Sequence, residues 1–322
     1  MNEPLLTQPL LTQADLNAAQ RRLAGRVHRT PTLSATTIGD RLGVRLHFKA
    51  ELFQKTGSFK VRGVLNKLLG LGDDALARGL ISISAGNHAA ALAYGASVVG
   101  ARATVVMPAG AVRAKIEATR CYGAEVILTE HDLLDTCRAV ERERGALFVH
   151  PFDDLEIMAG HGTLGLEVLE ALETLALLIV PVGGGGLIGG TAAAVKLACP
   201  RLRVVGVEPR GADAMTRSLA AGRPARLERF ETIADGLAAP FVGAHNLEHV
   251  RAFVDDVVTV SEPAIFEATR LLLSRAKLAA EPSAAAPLAA LLEGVVSPAT
   301  RGTTCCVVSG GNVDREVLRR VV

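Results

Sequence analysis

Residues 177–191 read Leu-Leu-Ile-Val-Pro-Val-Gly-Gly-Gly-Gly-Leu-Ile-Gly-Gly-Thr. An apolar, β-branched run that breaks into four glycines and resumes as a small-residue helical stretch is a strand, a turn and a helix start, the joint from which α/β sheets are built. Similar runs recur on both sides of it: LISIS (80–84), ATVVM (103–107), EVIL (125–128), LFV (147–149), RVVGVE (203–208), VVTV (257–260) and CCVV (305–308). Helical patterns separate them. Val61, Val64, Leu65, Leu68 and Leu69 follow i, i+3, i+4 spacing, and Ser261-Glu262-Pro263 opens a helix with a capping residue and an early proline. The alternation predicts an α/β fold with parallel sheets. No fixed-period repeat or glycine/serine linker marks a domain boundary.

At 322 residues the chain is long enough for about two domains. Lys+Arg 35 nearly balances Asp+Glu 33, for a net charge of +2, and only 3% of the residues are aromatic, so neither a basic stripe nor a base-stacking platform is present and nucleic acid is excluded as a partner. No run approaches the ~18 apolar residues of a membrane span, and the opening MNEPLLTQPLLTQAD lacks the features of a signal peptide. A cytoplasmic protein without a membrane partner is expected. Five cysteines (121, 137, 199, 305 and 306) form no C-x-x-C and read as buried, reduced thiols.

In open α/β sheets ligands bind beyond the carboxyl ends of strands. There this sequence places Ser84-Ala85-Gly86-Asn87-His88, the glycines 183–186, Glu208, and Ser309-Gly310-Gly311-Asn312. Four glycines at a strand-to-helix switch let backbone N–H groups converge on a phosphate. The same stretch satisfies G-x-G-x-x-G through Gly184, Gly186 and Gly189, with Glu208 about 20 residues on, so a nicotinamide dinucleotide competes for it, whereas no Walker lysine follows. The segment 84–88, ahead of an alanine-rich helix, offers N–H groups to a carboxylate, or is an ordinary helix cap. Lys60 opens a helix, where a cation is electrostatically misplaced; it is either solvated or an amine of depressed pKa suited to Schiff-base chemistry. His245-Asn246-Leu247-Glu248-His249 matches an inverted zinc-protease pattern but follows a loop-like stretch and reads as solvated surface, and Glu141-Arg142-Glu143-Arg144 reads as an exposed helix end.

TGSFKVRG (56–63) around Lys60, SAGNH (84–88), GGGG (183–186) and SGGN (309–312) stand in one order, accompanied by ELFQKTG (51–57), YGA (122–124), HPF (150–152), VEP (207–209), ADG (234–236) and EPS (281–283). From about Leu11 to its end the chain resembles the fold-type II pyridoxal-phosphate enzymes, in the serine/threonine dehydratase and serine racemase branch. The resemblance implies two open-sheet α/β domains of the tryptophan synthase β-subunit-like architecture with the cofactor in the cleft between them. Residues 1–72 plus 153–322 would form a large cofactor-binding domain and 73–152 a small domain mobile over the substrate. A homodimer is implied, and the end of the chain ten residues after Asn312 implies no regulatory domain. Lys60 would take the cofactor's aldehyde, with Phe59 flanking the ring, Asn87 on the ring oxygen, and Ser309 at the pyridine nitrogen. Gly183, Gly184, Gly185, Gly186 and Leu187 would hold the phosphate. Ser84, Ala85, Gly86, Asn87 and His88 would seat the amino-acid substrate's carboxylate, with Ser84 catalytic, and Gly236 and Glu281 would lie near the pocket.

A hydroxyl such as Ser309 cannot stabilise a protonated pyridine as a carboxylate does, which favours loss of a β-substituent among the reactions open to the cofactor. The implied reaction is elimination of water from a β-hydroxy amino acid such as threonine or serine, Lys60 removing the Cα proton and the cofactor-phosphate region supplying the leaving hydroxyl with its proton, giving a 2-oxo acid and ammonia. Serine racemases carry a second serine where this chain has Ala85, so little racemisation is expected. A divalent cation is undecided, since Glu208 is present but Ala214 stands where the family's aspartate falls, with Asp213 one place early. His161 replaces the family's usual glutamine, and the apolar Leu237-Ala238-Ala239 would admit a bulkier substrate such as phenylserine, with 3-hydroxyaspartate also open. A dinucleotide oxidoreductase and a non-catalytic amino-acid binder are the competing readings.

Overall fold

A computed structural model describes residues 9–321. Residues 1–8, most of the stretch read above for a targeting signal, lie outside the described residues. Ten strands form two sheets: β1 (Thr32–Ser34), β2 (Arg45–Ala50), β7 (Leu175–Pro181), β8 (Arg203–Pro209), β9 (Asp256–Val260) and β10 (Thr303–Val308) in one, and β3 (Leu80–Ile83), β4 (Ala103–Pro108), β5 (Glu125–Thr129) and β6 (Leu147–Phe148) in the other. The first has the order β1-β2-β10-β7-β8-β9, parallel except where β1 runs against β2; the second is wholly parallel, in the order β5-β4-β3-β6. The alternation in the sequence therefore becomes two parallel sheets, each buried on both faces by its crossover helices.

Every run read as a strand is one, to within two residues. Two strands escaped notice. β1 is three residues long, and β2, Arg-Leu-His-Phe-Lys-Ala, mixes polar and apolar side chains because buried Lys49 is paired, its Nζ 2.6 Å from Glu167. The same carboxylate meets Arg62, which is wholly buried and also bonded to Glu51 at 2.8 Å; a buried cation of this kind is tolerable only when so paired.

The helix Lys60–Leu68 presents Val61, Val64, Leu65 and Leu68 to a core shared with the four-stranded sheet and the helix Asn87–Val99, while separate cores cover the two faces of the six-stranded sheet. The two sheets are thus joined through the segment that carries Lys60. Ser261 caps the helix Glu262–Leu271, as its sequence predicts, accepting from the N–H of Ala264. All five cysteines are free; Cys137, Cys305 and Cys306 are buried, but Cys121 and Cys199 are exposed, because each ends its helix on the solvent side.

Candidate active site

β10 and β7 are neighbours in the larger sheet, so the loops after them, at Ser309 and Gly183, open side by side. The loop after β3 in the smaller sheet, at Ser84, faces them. A cavity of about 1120 Å³ lies between, lined by Phe59, Lys60, Ser84, Ala85, Gly86, Asn87, His88, Gly183, Gly184, Gly185, Gly186, Leu187, Gly236, Glu281 and Ser309. Every residue that the resemblance assigned to the cofactor and substrate is brought to this one space, whereas Glu208, Gly310 and Gly311 do not line it.

Two 13-residue helices begin at its wall, Asn87–Val99 and Gly186–Ala198. Neither has a side chain capping its first turn: Gly86 and Gly185 stand at the N-cap positions. Two sets of unpaired N–H donors at the positive ends of helix dipoles therefore face one cavity, and the arrangement has room for two anions. Asn87 and His88, read in the sequence as loop, form the first turn of their helix. The glycines are dictated by packing as well as by donors. A Cβ at Gly184 would stand 2.5 Å from the ring of Phe152, and one at Gly186 would stand 2.8 Å from the Phe152 carbonyl, while Gly185 adopts φ +96°, which side chains disfavour.

Lys60 reaches the floor of the cavity from the first turn of its helix, and its Nζ donates to the Pro151 carbonyl at 2.8 Å. Burial lowers its amine to about 8, with Glu281 pulling the other way. A fraction of the amine is therefore free base near neutrality, as a nucleophile or base requires. The chain enters this turn under constraint: Thr56, a β-branched residue, holds φ +63°, and Gly57 holds φ +73°. Asn312 braces it, its Nδ2 donating to the Thr56 carbonyl at 2.8 Å.

The same Nδ2 reaches Asn87 Oδ1 at 2.8 Å, and Asn87 Nδ2 donates to Glu281 Oε1 at 2.8 Å. Burial pushes the Glu281 carboxyl up to about 8, so at neutral pH it is mainly the uncharged acid. Ser309 is buried, and its carbonyl accepts from the Phe59 N–H at 3.1 Å. Gly236 donates its N–H to Ser283 Oγ at 2.9 Å, and Ser84 Oγ accepts from the Gly86 N–H at 3.1 Å. His88 is buried and neutral: Ser82 Oγ gives its proton to the Val149 carbonyl, so the His88 Nε2 lying 3.0 Å away must be the protonated nitrogen.

Two readings need correction. The segment 245–249 is neither irregular nor a solvated surface. It belongs to the helix Ala244–Phe253, with Asn246 and His249 fully buried; His249 Nε2 accepts from the Leu11 N–H, and Asn246 Nδ2 donates to the Gly184 carbonyl at 2.7 Å. Asn246 thus pins the glycine loop from below. Glu208 is not available to a ribose as a dinucleotide would need, because its carboxylate accepts from the N–H groups of Met215 (2.7 Å) and Thr216 (2.8 Å) and from Thr216 Oγ (2.7 Å), capping the next helix. Asp213 is paired with Arg217, and among the described residues no group of three or more His, Cys, Asp or Glu side chains could hold a metal ion.

Sequence reasoning passed over Phe152 and Asn246 as supports of the loop. Phe152 was visible only as part of HPF, and nothing local marks Asn246, which lies 62 residues from the carbonyl it holds.

An anion seat at a glycine-walled helix start, a buried amine of lowered pKa, and an uncharged hydroxyl in one cavity are the donor set that a phosphorylated aldehyde with a pyridine ring needs. The chain matches the pyridoxal-phosphate dependent enzyme family over residues 23–310, and it belongs to that family. It is 44% identical over 310 residues to the L-threonine ammonia-lyase of Geobacter sulfurreducens, covering 95% of this chain and 77% of that protein. It is 41% identical to the phenylserine dehydratase of Ralstonia pickettii, covering 96% of each. The solved structure of maize serine racemase superimposes with a TM-score of 0.91 at 39% identity, covering 95% of both chains. The architecture is accordingly that of the fold-type II enzymes, the cofactor is pyridoxal phosphate, and the dinucleotide reading of the glycine loop falls.

Proposed function

We propose that this protein is an ammonia-lyase that eliminates water from a β-hydroxy amino acid and yields a 2-oxo acid and ammonia. The observation that carries the reading is the pair of uncapped helix N-termini converging on the Lys60 cavity, one seat for a phosphate and one for an amino-acid carboxylate. The named relatives support it.

Gly183 to Gly186 with Leu187 would hold the cofactor phosphate, Asn87 its ring oxygen, Ser309 its ring nitrogen and Lys60 its aldehyde carbon, with Phe59 beside the ring. When bound, the cofactor supplies an electron sink that makes the substrate's Cα–H bond acidic. Ser84 and the N–H groups at the start of the helix Asn87–Val99 orient the substrate carboxylate. Lys60, its amine lowered to about 8 by burial, takes the Cα proton. The Cα–H and Cβ–O bonds break, the hydroxyl takes up a proton and departs as water, and water returns when the released enamine hydrolyses, so one amino acid gives one 2-oxo acid and one ammonia. Ser309, an uncharged partner, leaves the electron pair at Cα to expel the β-oxygen. Ala85 carries no proton on the face opposite Lys60, so racemisation is slow.

Residues 73–152, built on the four-stranded sheet, act as the small domain that moves over the substrate, and residues 1–72 plus 153–322 as the cofactor-binding domain. The enzyme works in the cytoplasm as a homodimer. The test is the purified protein loaded with pyridoxal phosphate, assayed for 2-oxo acid and ammonia against serine, threonine, phenylserine and 3-hydroxyaspartate. Lys60→Ala is expected to abolish product, by more than about 10³-fold, and to remove the lysine-dependent absorbance of the bound cofactor. Formation of D-serine from L-serine at a rate comparable to pyruvate would overturn the elimination reading.

A further inference from the structure

Five of the chain's nine phenylalanines (59, 148, 152, 230 and 241) line the cavity of a protein that is only 3% aromatic. Three of them surround one histidine. The His150 ring stands 5.8 Å from Phe148, 4.7 Å from Phe152 and 6.5 Å from Phe241, edge-on to each, and Phe152 and Phe241 are 5.4 Å apart. The Phe152 ring lies against Gly184, where a Cβ would stand 2.5 Å from it. The result is an aromatic recess, with edges and faces arranged as stacked rings prefer and with the guanidinium groups of Arg138 and Arg226 over the rings of Phe148 (4.5 Å) and Phe241 (5.7 Å).

The histidine is the group that these rings share, and its protonation is fixed by the backbone. His150 Nδ1 accepts two N–H bonds, from Phe152 at 3.2 Å and Asp153 at 2.8 Å. A nitrogen that accepts cannot carry hydrogen, so the proton sits on Nε2, on the opposite edge of the ring. Among the described residues Nε2 has no hydrogen-bond partner within the chain. Burial lowers the imidazole's pKa, which keeps it neutral. The next residue, Pro151, supplies the carbonyl that Lys60 touches, so this donor is anchored beside the reacting amine.

We infer that His150 and the rings around it read the substrate's β-carbon: the Nε2–H donates to the β-hydroxyl, and the recess of Phe148, Phe152 and Phe241 takes a flat apolar β-substituent, so the preferred substrate class is β-aryl β-hydroxy amino acids. The inference rests on the lyase reading and adds to it a specificity-determining residue and a substrate class. A donor held rigid among apolar rings discriminates well, because a ligand without the matching oxygen leaves it unpaired.

Ligand binding to the cofactor-loaded enzyme, followed through the cofactor's absorbance in the first mixing phase before product accumulates, tests this. Phenylserine and phenylalanine differ only in the β-hydroxyl. His150→Phe is expected to weaken phenylserine about tenfold and leave phenylalanine within about twofold, and His150→Gln, which keeps a donor, to recover most of the loss. Phe241→Ala is expected to weaken both aryl ligands about tenfold and threonine less than threefold. Equal losses for phenylserine and phenylalanine in both His150 variants would show a merely structural role and overturn the assignment, as would tighter wild-type binding of threonine than of phenylserine. If no β-hydroxy amino acid gives a 2-oxo acid, the lyase reading fails by itself, while the binding ratios still decide the role of His150.

Discussion

The two helix starts that face the cavity are built on opposite principles. From Gly184 to Gly186 a side chain would collide: Cβ atoms at Gly184, Gly185 and Gly186 would lie 2.5, 2.8 and 2.8 Å from Phe152, from Asn246 and Met215, and from the Phe152 carbonyl. At Gly86 a Cβ would meet nothing within 4 Å. The first loop is moulded by its own protein, as suits a seat for a resident cofactor. The second is left open, as suits a place where a substrate enters and leaves. In the first, glycine is required by packing; in the second, by what must approach from the cavity.

The contrast can be broken by substitution. Gly184→Ala should have the largest effect. Its methyl collides with a ring that is itself packed, an overpacking cost of about 1–3 kcal/mol, and the distorted loop should lose cofactor affinity by more than about tenfold, measured by titrating the cofactor-free protein. Gly86→Ala, by contrast, should melt with the wild type and bind cofactor normally, but raise KM about tenfold as its methyl projects into the cavity. If instead Gly86→Ala unfolds the protein and Gly184→Ala does not, the contrast is wrong. Asn246→Ala removes the 2.7 Å bond to the Gly184 carbonyl and leaves that group unpaired, so a stability loss of about 1–3 kcal/mol with weaker cofactor binding should appear in denaturant titration.

The finest comparison concerns Glu281, through which the open loop is tied to the larger sheet at Asn87. Burial raises its carboxyl to about 8, whereas in the unfolded chain it ionises near ~4.3. Between those values the folded protein binds more protons than the unfolded one, so this group's contribution is complete at low pH and is lost as pH rises towards 8. Glu281→Gln cannot ionise. The variant should lose less stability between pH 5 and pH 8 than the wild type, by an amount on the order of 1 kcal/mol, in melts of the cofactor-free protein.

What could be read from the sequence was what lies contiguous in it. The strand runs, the glycine loop and the turn bearing Lys60 are local patterns of apolar period and backbone freedom, and each stands where its sequence puts it. What could not be read depends on partners distant along the chain. Lys49 makes β2 look polar until Glu167, 118 residues away, neutralises it. The helix of His245 to His249 looked solvated because its burial is decided by contacts with Leu11 and Gly184. Asn312 was legible as part of a motif, but not as the brace that joins Thr56 to Asn87. The exposed Cys121 and Cys199 lie at helix ends, and whether such a residue faces inward is a matter of docking that cysteine spacing does not encode.

The order of strands in the larger sheet carries a consequence for how the molecule is made. β10, last of the described strands in the chain, is inserted between β2 and β7, so both must present unpaired edges until synthesis has passed Val308. The smaller sheet, contiguous from Leu80 to Phe148, has no such wait. A nascent chain would therefore pass through a stage with one sheet complete and the other gapped at its centre, exposing apolar strands to illicit pairing. The floor of the cavity at Ser309 comes into being only when that gap is filled, so assembly of the site and closure of the fold are one event.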